Sequence, residues 1–349
     1  MRFLWRWLKR LVLLVLLMAV GLLLPVGYIE LACKGDPVDS RYAAILPEDW
    51  QRPESRTLLT YPEWHIVHTY DDYAEVIATG DPHDFNFLRA ITGFWTSLCA
   101  LSETSAQHGG FPWETRQMVY TIGVSFTAEM LGKAAYEETF GRAATMIRGT
   151  ERSALDLLSA DQARAYARFL QQVPWYKWNF TAGAADLATN DTGSFRDTER
   201  RIALGLEYRA KAAYAGIIAQ AVAAVGADAL RLRMVVTAPA EALTGLDGVT
   251  VISQSGDRLV IETPRYRELT YLMQQMADRG VDFIEIAGND DILLTATSPG
   301  ARASGAIHSF ARQGYGDYRH LILVKVADLA ETLRQMRTGP LQLEHIHDY

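Results

Sequence analysis

Cysteine is scarce in this chain: 349 residues contain two, Cys33 and Cys99. Two cysteines exclude a disulfide framework. An oxidising compartment would permit one bridge between them. Cys99, however, sits in the apolar run GFWTSLCAL and reads as a small buried hydrophobe. The sequence also lacks Gly-x-Ser-x-Gly, a Gly-x-Gly-x-x-Gly opening a helix, a phosphate loop and Cys-x-x-Cys. Their absence disfavours common hydrolases, dinucleotide enzymes, nucleotidases and thiol redox proteins. Positive charge is in deficit, with 34 Lys and Arg against 41 Asp and Glu, a net charge of -7. Beyond the first ten residues there is no basic run, so neither a nucleic-acid nor a nucleotide partner is expected. Repeats and low-complexity tracts are missing too.

What is present begins with MRFLWRWLKR, followed by an uncharged apolar run over residues 11–29. As a helix, such a run reaches across a hydrocarbon core. It is longer than the apolar part of a signal peptide and no A-x-A-like site follows it. Arg2, Arg6, Lys9 and Arg10 precede the run, which puts the N-terminus inside. The expectation is an uncleaved signal anchor: a single transmembrane helix in the inner (cell) membrane, N-terminus cytoplasmic, the bulk of the chain periplasmic. The partners implied are the lipid bilayer and a membrane protein, with the aromatic loop VPWYKWNF (173–180) as the surface patch.

The rest divides by texture. Residues 1–33 read as the anchor and 34–58 as a linker. Residues 59–228 read as a helical domain, and 229–349, where hydrophobic period changes from 3.6 to 2, as an α/β sandwich. Helix starts are marked at Thr60–Glu63 and Ser159–Gln162 by capping boxes, at Asp81–Asp84 by a cap and proline, at Pro112, and at Ser194. Gly226 marks a helix end. Strand runs after residue 230, interrupted by RYRELTYLMQQMADRG and ADLAETLRQMRTG, follow the split βαβ order. The fold class is therefore α+β, and the second domain resembles the ferredoxin-like fold, a likeness that carries no function.

Three polar constellations are candidates for chemistry. In TYPEWHIVHTYDDYA, His65, His68 and Asp72 follow i, i+3, i+7 and share a helical face. Neutral imidazoles with a carboxylate there would hold a transition metal, completed by Glu103 or Glu129 from another helix. The bland readings are a solvated stripe or histidines hydrogen-bonded in a helical core. Further on, Ser125, Glu129, Lys133 and Glu137 follow an i+4 rhythm in an otherwise apolar helix. Glu129 and Lys133 are candidate acid–base residues if they face inward, and a surface stripe of helix-stabilising pairs if they do not. Finally, His345 and His347 share a strand face and form either a metal half-site or a solvated sheet edge. The leading functional reading is a membrane-anchored protein of interaction type. The alternative is a membrane-tethered metal-dependent enzyme or redox protein using the His65, His68 and Asp72 cluster.

Overall fold

The computed structural model describes residues 2–38, 42–225, 230–239 and 241–349. Helices α1 (Arg2–Ala32), α2 (Arg56–Thr79), α3 (Phe87–Ser105), α4 (Trp113–Tyr136), α5 (Arg142–Arg148), α6 (Ala154–Leu170), α7 (Phe180–Thr189) and α8 (Phe195–Val225) come first. Then follow β1 (Arg231–Thr237), β2 (Thr250–Ser255), β3 (Arg258–Pro264), α9 (Tyr266–Asp278), β4 (Asp282–Ile286) and β5 (Asp291–Ser298). The chain closes with β6 (Ala306–Ala311), β7 (Tyr318–Lys325), α10 (Val326–Thr338) and β8 (Gln342–His347).

The strands form two four-stranded antiparallel sheets, ordered β2-β3-β1-β4 and β6-β7-β5-β8. Each sheet is one pass of strand, strand, strand, helix, strand. The second pass starts 60 residues after the first: Arg231 and Asp291 open the leading strands, Arg258 and Tyr318 the third, Tyr266 and Val326 the helices. The expected single ferredoxin-like sandwich is thus replaced by a duplicated unit. Sequence reading missed β6, because AIHSFA has one β-branched residue and no clean alternation. It missed the repeat because few residues coincide at this offset, among them Leu269 with Leu329, Met276 with Met336 and Ile286 with Ile346. One apolar core serves both units, drawing Met234, Ile261 and Phe283 from the first sheet, Leu294 and Ile346 from the second, and Met273 and Leu333 from the helices.

Among the described residues, no helix is long and apolar enough to cross a membrane. The expected transmembrane signal anchor, and with it single-pass residence in the inner membrane, is therefore not supported. The far end of α1 packs into the protein. Ile29 and Cys33 are buried in the helical core. Glu30 is held by Arg116 at 3.1 Å and by the Tyr120 hydroxyl at 2.8 Å. Cys33 is disulfide-bonded to Cys99 of α3, which corrects the reading of Cys99 as a free buried thiol. The last turns of α1 therefore belong to the folded body.

The expected linker is bound as well. Glu285 of β4, fully buried, accepts the backbone N–H groups of Ile45 (2.5 Å) and Leu46 (2.8 Å) and the Tyr42 hydroxyl (2.9 Å). Arg233 lies over the Trp50 ring, 3.4 Å from its centroid. The aromatic loop at 173–180 also turns inward. Trp175 packs on Phe180 and Tyr214, Trp178 on Tyr166 and Phe169, and Phe180 is buried.

Several helix starts match their signals. Ser194 receives the N–H of Asp197 at the head of α8, and α4 opens after Pro112. Others move. α2 begins four residues before Thr60, so Pro62 lies inside it, and α6 is capped by Ser153 with Asp156 rather than by Ser159. The Asp81–Asp84 box caps a short 3-10 turn (Pro82–Asp84), and α3 starts later behind Asn86. The helix end expected at Gly226 lies outside the described residues.

Candidate functional site

Helix α2 runs across the second sheet on the face opposite α9 and α10. Leu58, Leu59, Tyr61 and Trp64 of α2 meet Leu293 and Leu321 of β5 and β7 there. Thr57 fixes the register: its hydroxyl donates to His347 O (2.6 Å) and accepts from Leu293 N–H (3.0 Å). Along this apolar seam the sequence places a row of polar side chains, and all three members of the predicted histidine–aspartate stripe are buried in it.

Their partners separate them. His65 Nε2 lies 2.9 Å from Ala90 O of α3, its ring edged by Phe94 and Phe126. Burial lowers its pKa to about 3, so the ring is neutral and its N–H donates to that carbonyl. His68 packs on Trp64 and sits 3.6 Å from Glu344 of β8; burial pushes its pKa well down too. Asp72 accepts the Gln313 backbone N–H at 2.9 Å and lies 3.8 Å from Arg319. Burial raises its carboxyl to about 7 against the opposing pull of Arg319 and that N–H.

These three are not among the groups of donor atoms that lie within metal-ligand distance of one another in the described residues. Glu103 is exposed beside Cys99, and Glu129 is engaged elsewhere. The geometry therefore favours the structural role for His65 and His68.

β8 brings in the other histidine pair. His345 stacks on Trp64 with centroids 3.4 Å apart, and its Nδ1 lies 3.0 Å from the Thr270 hydroxyl. His347 sits edge-on to Tyr61. Although β8 is a sheet edge, both rings are buried under α2, so the expected solvated edge is not what forms. Arg319 of β7 organises the row with a two-pronged bond to Glu344 at 2.5 and 2.7 Å. Burial pushes Glu344 up, but Arg319 and Arg312 outweigh it and hold the carboxylate below its usual range.

At the Asp72 end the seam opens into a cleft of about 260 Å³ between α2, α3 and β6. Thr69 and Asp72 come from α2, Arg89, Thr92 and Thr96 from α3, and His308, Phe310 and Gln313 from β6 and the turn after it. Gly93 lets α3 approach here, since a Cβ on it would stand 2.9 Å from His65 Cε1. Asp72 Oδ1 is buried and has no hydrogen-bond partner. His308 is half-buried and Arg89 exposed at the rim, and among the described residues neither side chain has a hydrogen-bond or ion-pair partner. Sequence reading missed Arg89, His308, Arg319 and Glu344, because nothing in YRHLILV or AIHSFA marks which strand face meets α2.

The predicted Glu129 and Lys133 pair faces inward, into a network between α4, α8 and α2. Glu129 accepts from Lys211 (2.8 Å) and the Tyr70 hydroxyl (2.5 Å), and Lys133 pairs with Glu207 (2.8 Å). Burial works against the Glu129 charge, but Lys211 and Lys133 win and lower its pKa. Ser125 is exposed, whereas Glu137 turns in to Arg200 at a π-helical turn (Glu137–Gly141) joining α4 to α5. The charges are matched within the network, which suits a structural staple. Compared with protein-family models, curated proteins and solved structures, the chain has no match.

Proposed function

We propose that this protein binds a small anionic organic molecule in the cleft between α2, α3 and β6. The observation that carries the reading is Asp72: a carboxyl group buried at the cleft, with Oδ2 accepting the Gln313 N–H and Oδ1 in no hydrogen bond, 3.8 Å from Arg319 and 3.9 Å from Arg312. A buried acceptor of this kind is costly unless something completes it, and a ligand hydroxyl or amine does so. Arg89 at the rim supplies charge for the ligand's anionic group, and neutral His308 supplies a second polar contact. Phe310, Thr92 and Thr96 line the remainder, a mixture of apolar and polar groups of the kind that small-molecule sites use.

The test is a thermal-shift panel of small hydroxy- and amino-carboxylates and phosphate esters on the full chain, followed by titration of those that stabilise. Binding should weaken at least ~10-fold in Arg89→Met, as loss of a charge-assisted contact does, and vanish in Thr92→Trp, which fills the cleft. If no panel member stabilises the protein, or if both variants bind as the parent does, the reading fails.

A further inference from the structure

A second buried constellation lies away from the cleft, where three separate segments meet. Glu54 ends the stretch before α2, His108 lies in the turn after α3, and Asp291 opens β5. One donor atom from each falls within 4.8 Å of the others. His108 Nδ1 is 2.8 Å from Glu54 Oε1 and 3.6 Å from Asp291 Oδ2. The side chains are 14%, 10% and 7% exposed respectively, so water contributes little to their solvation.

We propose that Glu54, His108 and Asp291 bind a divalent first-row metal ion of the zinc or manganese kind. Two observations beyond the cluster point to a cation. Glu54 Oε2 is buried with no hydrogen-bond partner, and it shares its carbon with the oxygen already facing His108, so it is held at the same centre. The second is charge. Asp290 joins Glu54 and Asp291, and among the described residues Lys325 lies at hydrogen-bond range, its ammonium 2.7 Å from Asp291 and 3.0 Å from Asp290. Glu54 and Asp291 are the shielded carboxylates, and with the partly exposed Asp290 beside them the negative charge exceeds that ammonium, which costs free energy unless it is neutralised.

Two carboxylates and one imidazole form a mixed oxygen and nitrogen set. That set suits zinc or manganese better than magnesium or calcium, which favour oxygen alone. Lys325 is 54% exposed at its side chain, so it can swing out as the metal enters. Bound there, the ion ties the turn at Glu54 and the turn at His108 to the first residue of β5.

The experiment uses the full chain, stripped with chelator and titrated with Zn2+ or Mn2+, with Mg2+ and Ca2+ as comparison, reading melting temperature and binding isotherm. The parent should gain melting temperature with Zn2+ or Mn2+, because ligand that binds only the folded state stabilises it. Glu54→Gln and His108→Ala should each weaken binding at least ~10-fold. Lys325→Met, which removes the competing ammonium from an exposed position, should tighten it. A purely structural ion-pair cluster gives the opposite pattern: Lys325→Met lowers stability and no variant responds to metal. Lack of response in both the parent and Lys325→Met, or affinity equal to the parent's in Glu54→Gln and His108→Ala, overturns the assignment.

Discussion

His345, at the C-terminal edge of the second sheet, stacks on Trp64 of α2 with ring centroids 3.4 Å apart. The contact closes a buried row of His65, His68, His345 and His347 beneath α2, with His65 at the end that meets α3. Burial pushes the pKa of each below its ordinary 6.5, to about 3 for His65 and His347.

The sign of the resulting pH dependence is fixed. A folded state that refuses protons the unfolded chain accepts loses stability as pH falls below 6.5. At pH 5 His65 and His347 each contribute about 2 kcal/mol of destabilisation, and His68 and His345 act in the same direction. Asp72 opposes this in direction, since its pKa is raised from 3.8 to about 7 and it alone favours the folded state as pH falls. The four histidines of the row, with His308 and His320 shifted in the same direction, outweigh it and leave the net effect destabilising. Urea unfolding at pH 7.5 and pH 5 should show the loss, and His347→Asn should reduce it. Equal stability at the two pH values would mean that the histidines charge within the fold.

Arg319 is fully buried and holds Glu344 through two bonds while facing Asp72. Arg319→Met leaves those carboxylates without their main counter-charge. The expected cost is about 3–5 kcal/mol, much of it recovered when Glu344→Gln is added. Denaturant midpoints of the single and double variants measure both.

The Cys33–Cys99 bridge closes a loop of sequence separation 66 between α1 and α3. In the chain-entropy model a loop of that length is worth about 4 kcal/mol. Melting curves with and without a reductant should differ by a large drop in melting temperature, and Cys33→Ala should reproduce the reduced curve.

Two glycines of α4 make a matched pair. A Cβ on Gly123 would stand 2.5 Å from Phe94 Cε1 and 3.0 Å from the Trp95 ring, so Gly123→Ala should destabilise by about 1–3 kcal/mol. Gly132 has nothing within 4 Å, and Gly132→Ala should stabilise by up to about 1 kcal/mol through helix propensity. Equal effects at the two sites would contradict the packing of α4 on α3.

Helix α2 covers one face of the second sheet, so a fragment starting at Leu230 exposes Leu293 and Leu321 and leaves His347 O and Leu293 N–H without their Thr57 partner. It should melt without cooperativity or self-associate, whereas the full chain shows a single sharp transition. A cooperative monomeric fragment would make residues 229–349 an independent domain.

Some features were legible in local sequence. The heads of α4 and α8, the change to period 2 after residue 230 and the helical spacing of His65, His68 and Asp72 depend on contacts within a few residues, which propensity and capping encode. Which side of a helix faces inward depends on the partner's surface. Glu129 with Lys133 reads equally well as a solvated stripe, and only Lys211 and Glu207 from α8 make it a buried network. The apolar run of α1 could be counted in the sequence, but its last turns belong to the protein body because Arg116, Tyr120 and Cys99 meet Glu30 and Cys33 there. The duplicated sheet was hidden because a fold constrains burial and backbone geometry more tightly than residue identity. The cleft and the Glu54, His108 and Asp291 centre belong wholly to tertiary structure, since each joins segments far apart in the chain, and no local pattern records which distant strand arrives.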